Sequence, residues 1–324
     1  MNQLFKLSPA AKDYLWGGTR LKTEFGKNID IEPLAETWEC STHPDGPSIV
    51  ASGEYKGKTL TEVLSEHPEF LGTRALALTD GKPELPILIK LIDAAKDLSI
   101  QVHPDDEYAL KYENSLGKTE MWYVLQATTD AKLVHGFNRD VIINEVRAAA
   151  KDGSIEQMLN YVPVEKGDLF YIEAGTVHAI GAGVLVVEIQ ENSNITYRLY
   201  DYNRVGKEGK KRELHIEKAL KVMNISASAF SKDEQREIVH GIGYESERLK
   251  KCKYFTVDHI TSKTSVEIKQ DEGCFHALLF IGGNAVIKAD EDKVTVKKGE
   301  TVFVQAGSCG LKAYGDFEML DITC

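Results

Sequence analysis

Ile100-Gln-Val-His103 and Gly167-Asp-Leu-Phe-Tyr-Ile-Glu-Ala-Gly175-Thr-Val-His178 are the two stretches on which the reading of this chain turns. In the first, Gln101 and His103 fall on one face of a strand, because side chains along an extended chain repeat with a period of two. After a short polar segment comes Lys118-Thr119-Glu120, and Glu120 opens the apolar run Met121-Trp-Tyr-Val-Leu125, the start of a neighbouring strand. In the second stretch, Leu169-Phe-Tyr-Ile172 and the later Val184-Leu-Val-Val187 read together as a hairpin, with His178 following a tight turn at Gly175. One amide, two imidazoles and one carboxylate make an N/O donor set. Such a set suits Zn²⁺ or another divalent first-row ion and leaves positions open for a substrate.

A lone buried histidine is more often satisfied by hydrogen bonds in the core than by a metal. The acids after His103 also have another use. In His103-Pro-Asp105-Asp106-Glu107 they sit where carboxylates cap the first turn of a helix over Tyr108-Ala-Leu-Lys-Tyr112, so Asp105 and Asp106 stay outside the site. What favours a metal is the joint occurrence of an upstream histidine, Glu120 and the glycine-bounded turn ending in His178. Together they resemble the two-motif pattern of the cupins, with Glu173 where a proline is usual. The resemblance implies a mainly β chain of two cupin-type jelly-roll barrels (double-stranded β-helices), with a small helical insertion on the first.

An internal repeat supports two barrels. Shifting the chain by 132 residues places Gly167–Gly183 on Gly299–Gly315, matching both turn glycines and Ala174 with Ala306. Gly310 stands where His178 would be, and Phe275-His-Ala-Leu-Leu-Phe-Ile-Gly282 resembles the Glu120 run with Phe275 in place of the glutamate. A repeat that keeps its glycines has kept its backbone geometry. Residues 1–235 are therefore expected to form a catalytic cupin domain with its helical insertion near 140–160. Residues 240–324 are expected to form a cupin-like domain without metal ligands, serving packing.

The length of 324 residues suits two domains, and 42 % hydrophobic with 27 % charged residues is ordinary for a soluble globular protein. The longest apolar runs are too short to span a bilayer, and Met1-Asn-Gln-Leu-Phe-Lys6 lacks the pattern of a signal peptide. Five scattered cysteines with no C-x-x-C pair fit a reducing cytoplasm, and neither a disulfide framework nor a thiolate zinc site. With 39 basic against 50 acidic residues the net charge of −11 argues against a nucleic-acid partner. A small molecule is the expected partner, with no membrane and with the chain a monomer or a weak homodimer. Leu60, Val63 and Leu64 have helical spacing before Pro68, and Asp140 to Leu159 reads as a helical pair split at Asp152-Gly153. Another helix is expected over Glu213 to Val222, and from about residue 240 short strands are expected.

Over nearly its whole length the chain resembles the type I mannose-6-phosphate isomerases in their short bacterial form. The resemblance rests on Tyr14-Leu-Trp16-Gly17, Ala35-Glu-Thr-Trp38, Thr42-His-Pro-Asp-Gly-Pro-Ser48 and Leu85-Pro-Ile-Leu-Ile-Lys90. It continues through Leu98-Ser-Ile-Gln-Val-His-Pro-Asp-Asp106, Gly117-Lys-Thr-Glu120, the His178 turn and Gln190-Glu-Asn-Ser-Asn-Ile-Thr-Tyr-Arg-Leu-Tyr-Asp201. It implies one Zn²⁺ per chain on Gln101, His103, Glu120 and His178, a sugar phosphate as substrate, Arg198 and Lys118 as catalytic residues, and Lys90 lining the substrate pocket. Trp16 joins the substrate-binding set, although Trp16 and Trp38 suit packing as well. Longer members often carry an aspartate four residues before the arginine. Asn194 stands there, which removes any proton-transfer role for that acid. The large helical domain of longer members is also missing.

The implied chemistry is consistent with these residue types. Interconverting an aldose and a ketose moves a proton between adjacent carbons through an enediol whose oxygens gain negative charge, which a divalent ion stabilises. The donor fork of Arg198 suits an enediolate or a phosphate. Lys118, two residues from Glu120, shares its face and brings an ammonium beside the ion. Two readings from other classes compete. An Fe(II) dioxygenase needs two histidines and a carboxylate but has no use for Gln101, Lys118 or Arg198. A sugar-binding cupin without turnover would have lost its ligands in both repeats, not only in the second.

Overall fold

The run Ile87-Leu-Ile-Lys-Leu-Ile-Asp-Ala94 is buried at all eight positions, yet its alternate side chains go to different places. Ile87, Ile89 and Leu91 join one apolar cluster and Ile92 another, as a period of two requires of a strand covered on both faces. The computed structural model describes residues 4–206, 209–232, 236–270 and 272–324. Part of the leader reading (residues 1–3) and the boundary drawn at 235 lie outside the described residues.

The first half of the chain runs β1 (Leu4–Ser8), β2 (Ala10–Lys12), β3 (Glu36–Cys40), β4 (Ile49–Val50), β5 (Ile87–Ala94), β6 (Ile100–Val102) and β7 (Glu120–Ala127). It continues with β8 (Lys132–Phe137), β9 (Leu159–Pro163), β10 (Leu169–Ile172), β11 (His178–Ile180), β12 (Val184–Glu191) and β13 (Tyr197–Tyr200). Eleven of these make two sheets, ordered β10-β7-β12-β5-β3-β2 and β13-β6-β11-β8-β9. The sheets face each other across Trp16, Ile92, Trp122, Val124, Leu133, Phe170 and Ile180. The outer face of the five-stranded sheet carries the helices Ile143–Asp152 and Ile216–Val222. Val146, Ala149, Ala219 and Leu220 pack there with Ile100, Val102, Ala179 and Leu199. The first helix ends at Gly153 in the left-handed region, followed by a 3₁₀ turn over Ser154–Met158, so the expected insertion is present.

The second half supplies β14 (Glu237–Gly241), β15 (Tyr244–Lys251), β16 (Thr256–Ser262), β17 (Ser265–Glu267), β18 (His276–Ala289), β19 (Asp292–Lys297), β20 (Thr301–Val304) and β21 (Lys312–Thr323). They lie in one ten-stranded sheet ordered β14-β15-β16-β21-β18-β20-β1-β4, with β17 on β21 and β19 on β18. Ile260, Val266, Phe280, Val296, Val302 and Met319 come from six strands of this sheet yet share one core, so the sheet curls over itself. Its other face meets the back of the six-stranded sheet: Phe275, Leu279, Phe303 and Leu320 cluster with Ile89, Met121, Leu185 and Val187. One face of the six-stranded sheet therefore builds the interior of the first unit, and the opposite face holds the second unit.

Several expectations need correction. Leu169–Ile172 and Val184-Leu-Val-Val187 are not hairpin partners, since β10 and β12 flank β7 on opposite sides. Between them the chain crosses to the other sheet to form β11. β7 is likewise no neighbour of β6 but lies in the facing sheet. β1 and β4 belong to the ten-stranded sheet, with Leu4 opposite Val304 and Leu7 opposite Val50, so the N-terminal segment crosses the division drawn from sequence. The repeat is one residue out upstream. Ile172 pairs with Glu120 and Val304 with His276, so His276, not Phe275, holds the glutamate's place, 2.7 Å from Asp321. The C-terminal strands are not all short, because β18 has 14 residues and bends at a bulge beside Gly282. Finally, Cys274 and Cys324 form a disulfide, with Cα atoms 6.1 Å apart.

A buried ion pair bridges the two units. Glu39 receives Lys27 at 2.6 Å, Thr37 at 2.6 Å and Thr301 of β20 at 3.0 Å, and Lys27 also donates to the Gly299 carbonyl. Glu39→Ala is expected to cost about 3–5 kcal/mol in denaturant unfolding, because it strands the Lys27 charge away from water. A loss below about 1 kcal/mol would show that water reaches Lys27.

Candidate functional site

Gln101 lies in β6 between Ile100 and Val102, whose side chains face the helices, so its amide turns towards the facing sheet. Cross-strand register sets Gln101 opposite His178 of β11 on one side and Arg198 of β13 on the other. Directly paired residues share a face, so all three side chains enter the same space. His103 follows the strand, tied to the turn before β11 by the Gly175 N–H on its carbonyl at 2.8 Å. Gly175 has φ +89°, and a Cβ there would lie 2.9 Å from the Val222 carbonyl oxygen, so the turn that aligns the two histidines needs glycine. Glu120 arrives from the opposite sheet as the first residue of β7.

These side chains converge. His103 Nε2 and His178 Nε2 are 3.1 Å apart, Glu120 Oε2 is 3.5 Å from the first, and Oε1 is 3.4 Å from the second. Gln101 Nε2 is 3.4 Å from His178 Nε2, and the opposite turn of that amide presents Oε1, the atom a cation would take. His178 Nδ1 donates to the Thr176 carbonyl at 2.8 Å, which leaves the Nε2 lone pair aimed at the centre. His103 Nδ1 and both oxygens of Glu120 are buried and have no hydrogen-bond partner among the described residues. Lys118 Nζ stands 2.9 Å from Glu120 Oε2, an ion-pair distance without the alignment of a hydrogen bond, and 3.1 Å from His103 Nε2.

Burial, reinforced by Lys118 and His178, holds the His103 imidazole well below its ordinary range, and burial pushes His178 down to about 3. Burial, and then Glu188, raises Glu120 to about 7 against the pull of Lys118. Two neutral imidazoles and an undercompensated carboxylate thus surround one point. The donor set fits a divalent cation, whose charge would supply what all three groups lack.

Beside this centre, Trp38, Lys90, Glu188 and Trp122 follow one another in register across β3, β5, β12 and β7. Lys90 Nζ lies 2.8 Å from Glu188 Oε1, and Trp122 Nε1 donates to Glu188 Oε2 at 2.9 Å. Burial alone would raise Glu188, but Lys90 and Lys118 outweigh it and hold the acid near about 2. Lys90 therefore stands in the wall already paired. The sequence reading missed Glu188, whose one signal was a charge inside the apolar run Val184-Leu-Val-Val-Glu-Ile189.

Tyr14, which the reading also missed as a site residue, is 37 % exposed and pushed up to about 12 by burial and by Glu36, with Lys90, Arg198 and Asp45 acting on it too. Trp16 is only 3 % exposed and sits in the apolar core beneath it, ring centroids 5.5 Å apart. Of these two rings Tyr14 is the one that reaches solvent. Arg198 has a lowered guanidinium through burial and through Arg212, and its Nε is buried without a partner among the described residues. Asn194 donates to Asp45 at 2.7 Å, so a carboxylate stands beside the position where longer family members carry one. A cavity of about 570 Å³ lined by His135, Tyr171, Asn224 and Phe230 reaches Thr176 and Val177 beside His178 but takes in none of the four donors.

Residues 245–323 match the family described as "Mannose-6-phosphate isomerase, cupin domain", and residues 4–119 match "Phosphomannose isomerase type I, catalytic domain". Fold and site together define a cupin enzyme. The chain is 37 % identical over 316 residues to the mannose-6-phosphate isomerase ManA of Bacillus subtilis, covering 96 % of each. It is 35 % identical over 306 residues to the mannose-6-phosphate isomerase of Streptococcus mutans, covering 94 % of this chain and 93 % of that one. The crystal structure of the mannose 6-phosphate isomerase from Bacillus subtilis superposes with a TM-score of 0.89 at 33 % identity, covering 99 % of both chains. The chain belongs to the type I mannose-6-phosphate isomerases.

Proposed function

We propose that the chain interconverts mannose 6-phosphate and fructose 6-phosphate through an enediol, using one Zn²⁺ held by Gln101, His103, Glu120 and His178. The observation that carries this is the convergence of buried His103, Glu120 and His178, their ligand atoms within 4.8 Å of one another, on the face of Arg198, whose Nε has no hydrogen-bond partner among the described residues. Bound there, the cation would act as a Lewis acid on the sugar's oxygens, an effect of several kcal/mol, roughly, on the barrier. Arg198, on the face of Gln101, stabilises charge developing on those oxygens. Lys118 moves or holds a proton at a substrate oxygen next to Glu120. Lys90, fixed by Glu188, lines the wall of the substrate pocket, and Trp16 supports Tyr14 at its mouth. The ligand-bearing unit up to about residue 235 carries the chemistry. Residues 240–324 hold no second ion, since His276 is committed to Asp321. Among the described residues no helix is long and apolar enough to cross a membrane.

Treatment with EDTA followed by zinc add-back, assayed on phosphorylated and free mannose, tests this reading. Activity on mannose 6-phosphate is expected to vanish and return, with one zinc per chain by elemental analysis. Full activity after chelation, or two ions per chain, would overturn it.

A further inference from the structure

The segment bearing Lys118 and Glu120 is gripped by two acids, Glu191 at the end of the neighbouring strand β12 and Asp106 from outside the sheet. Gly117 N–H donates to Asp106 Oδ1 at 3.1 Å, and Thr119 N–H donates to Glu191 Oε1 at 2.7 Å. The Glu191 N–H returns to the Thr119 carbonyl at 3.1 Å, and Lys118 N–H donates to the Pro104 carbonyl at 3.0 Å. The fit is tight: a Cβ on Gly117 would come within 2.5 Å of the Asp106 nitrogen. Asp106 also accepts the Tyr254 hydroxyl and the Lys253 ammonium, each at 2.9 Å, from the turn between β15 and β16 in the C-terminal unit.

Burial pushes Glu191 up to about 8, against the Thr119 amide. Burial would raise Asp106 as well, but Lys253, Glu191, Gly117 and Tyr254 hold it below the usual carboxylate range. Glu191 is only 2 % exposed, so water does not compete for the Thr119 amide it accepts.

We propose that Asp106, Glu191 and Tyr254 form a positioning clamp through which the C-terminal unit sets Lys118 and Glu120 in place at the metal centre. The clamp rests on the zinc-site reading above. Its leverage comes from strand geometry. Lys118 and Glu120 flank Thr119 and point to one side, so fixing the Thr119 amide on the other side aims both heads at once. Groups that orient a ligand without touching the metal are worth about 10- to 100-fold in metal affinity or activity. A unit without ligands of its own thus acts on the centre by gripping the loop that carries one.

Glu191→Ala, Glu191→Gln and Tyr254→Phe test the clamp in the full chain. The readouts are zinc affinity by competition with a chromogenic chelator, kcat and KM for mannose 6-phosphate, and Tm. Wild-type zinc binding is measured first; its failure sinks the zinc-site reading, whereas the clamp is judged from differences between variants. Glu191→Ala is expected to weaken zinc by about 10- to 100-fold and to lower kcat with little change in KM. Glu191→Gln keeps an acceptor of the same length for the Thr119 amide, and is expected to recover most of both. Tyr254→Phe removes one hydroxyl across the unit boundary and is expected to weaken zinc by about 3- to 10-fold, one hydrogen bond's worth. If Glu191→Ala or Tyr254→Phe lowers Tm but leaves zinc affinity and kcat at wild-type values, the clamp is overturned. Should Glu191→Ala fail to fold, Tyr254→Phe decides alone by the same criterion.

Discussion

Alanine at His178 is expected to release the zinc and abolish turnover while the protein stays folded, and His103→Ala and Glu120→Ala should do the same. Each removes one of three donors whose ligating atoms lie within 4.8 Å of one another in a dry site. The remaining donors present too little charge and too few lone pairs to retain the ion. The fold should survive because none of the three belongs to the four apolar clusters that hold the sheets together. His178→Ala leaves a gap beside Trp122, whose ring centroid lies 5.4 Å from the imidazole, so Tm should fall modestly. Glu120→Ala also removes the partner of the buried Lys118 ammonium, so this variant should lose more stability than the histidine variants. Gln101 is a neutral and weaker donor, and its loss should loosen zinc without abolishing binding. Circular dichroism with elemental analysis checks the set. Any of the three variants that keeps one zinc per chain removes its residue from the donor set.

The second large effect is expected at Arg198. If its guanidinium stabilises charge on the reacting oxygens, Arg198→Ala keeps fold and zinc but lowers kcat by about 10²- to 10³-fold, the size of losing one oxyanion donor. If it only grips phosphate, ground state and transition state suffer alike and the loss appears as a raised KM. Arg198→Lys separates the two, since it keeps the charge but not the fork: little recovery points to the reacting atoms, substantial recovery to phosphate. The structure favours the first. Arg198 lies directly opposite Gln101 in β6, and its buried Nε has no hydrogen-bond partner among the described residues. Near-normal kcat in Arg198→Ala would end the catalytic assignment.

Much of this architecture was legible in short stretches of sequence. The alternation in Ile100-Gln-Val-His103 places Gln101 towards the site, and Asp105 caps the helix Asp106–Tyr112 through Tyr108 N–H at 2.8 Å, as its position implied. Among the glycines shared by the two repeats, Gly167 and Gly299 take matching φ of 90° and 86°, whereas Gly183 and Gly315 part at 84° and 141°. What the local pattern did not contain was pairing. Nothing near Leu169 or Val184 says that both will flank β7, because either arrangement satisfies their own periodicity. Glu188 is one charge in an apolar run, and only its pairing with Lys90 and Trp122 across the sheet gives it a role. His276 lay one residue from where similarity put its counterpart, and a one-residue slip in a strand exchanges its faces.

The division has a physical cause. Strand periodicity, helix caps and glycine turns depend on atoms a few residues apart, so the sequence by itself determined the segments, the donor types and the family to which they belong. Which sheet carries Glu120, how Lys90 comes to be paired, that Cys274 meets Cys324, and that Tyr254 reaches Asp106 depend on contacts between residues 50 to 150 positions apart. Those contacts form only when the two sheets and the curled C-terminal unit bury their apolar faces against one another, and tertiary structure alone decided them.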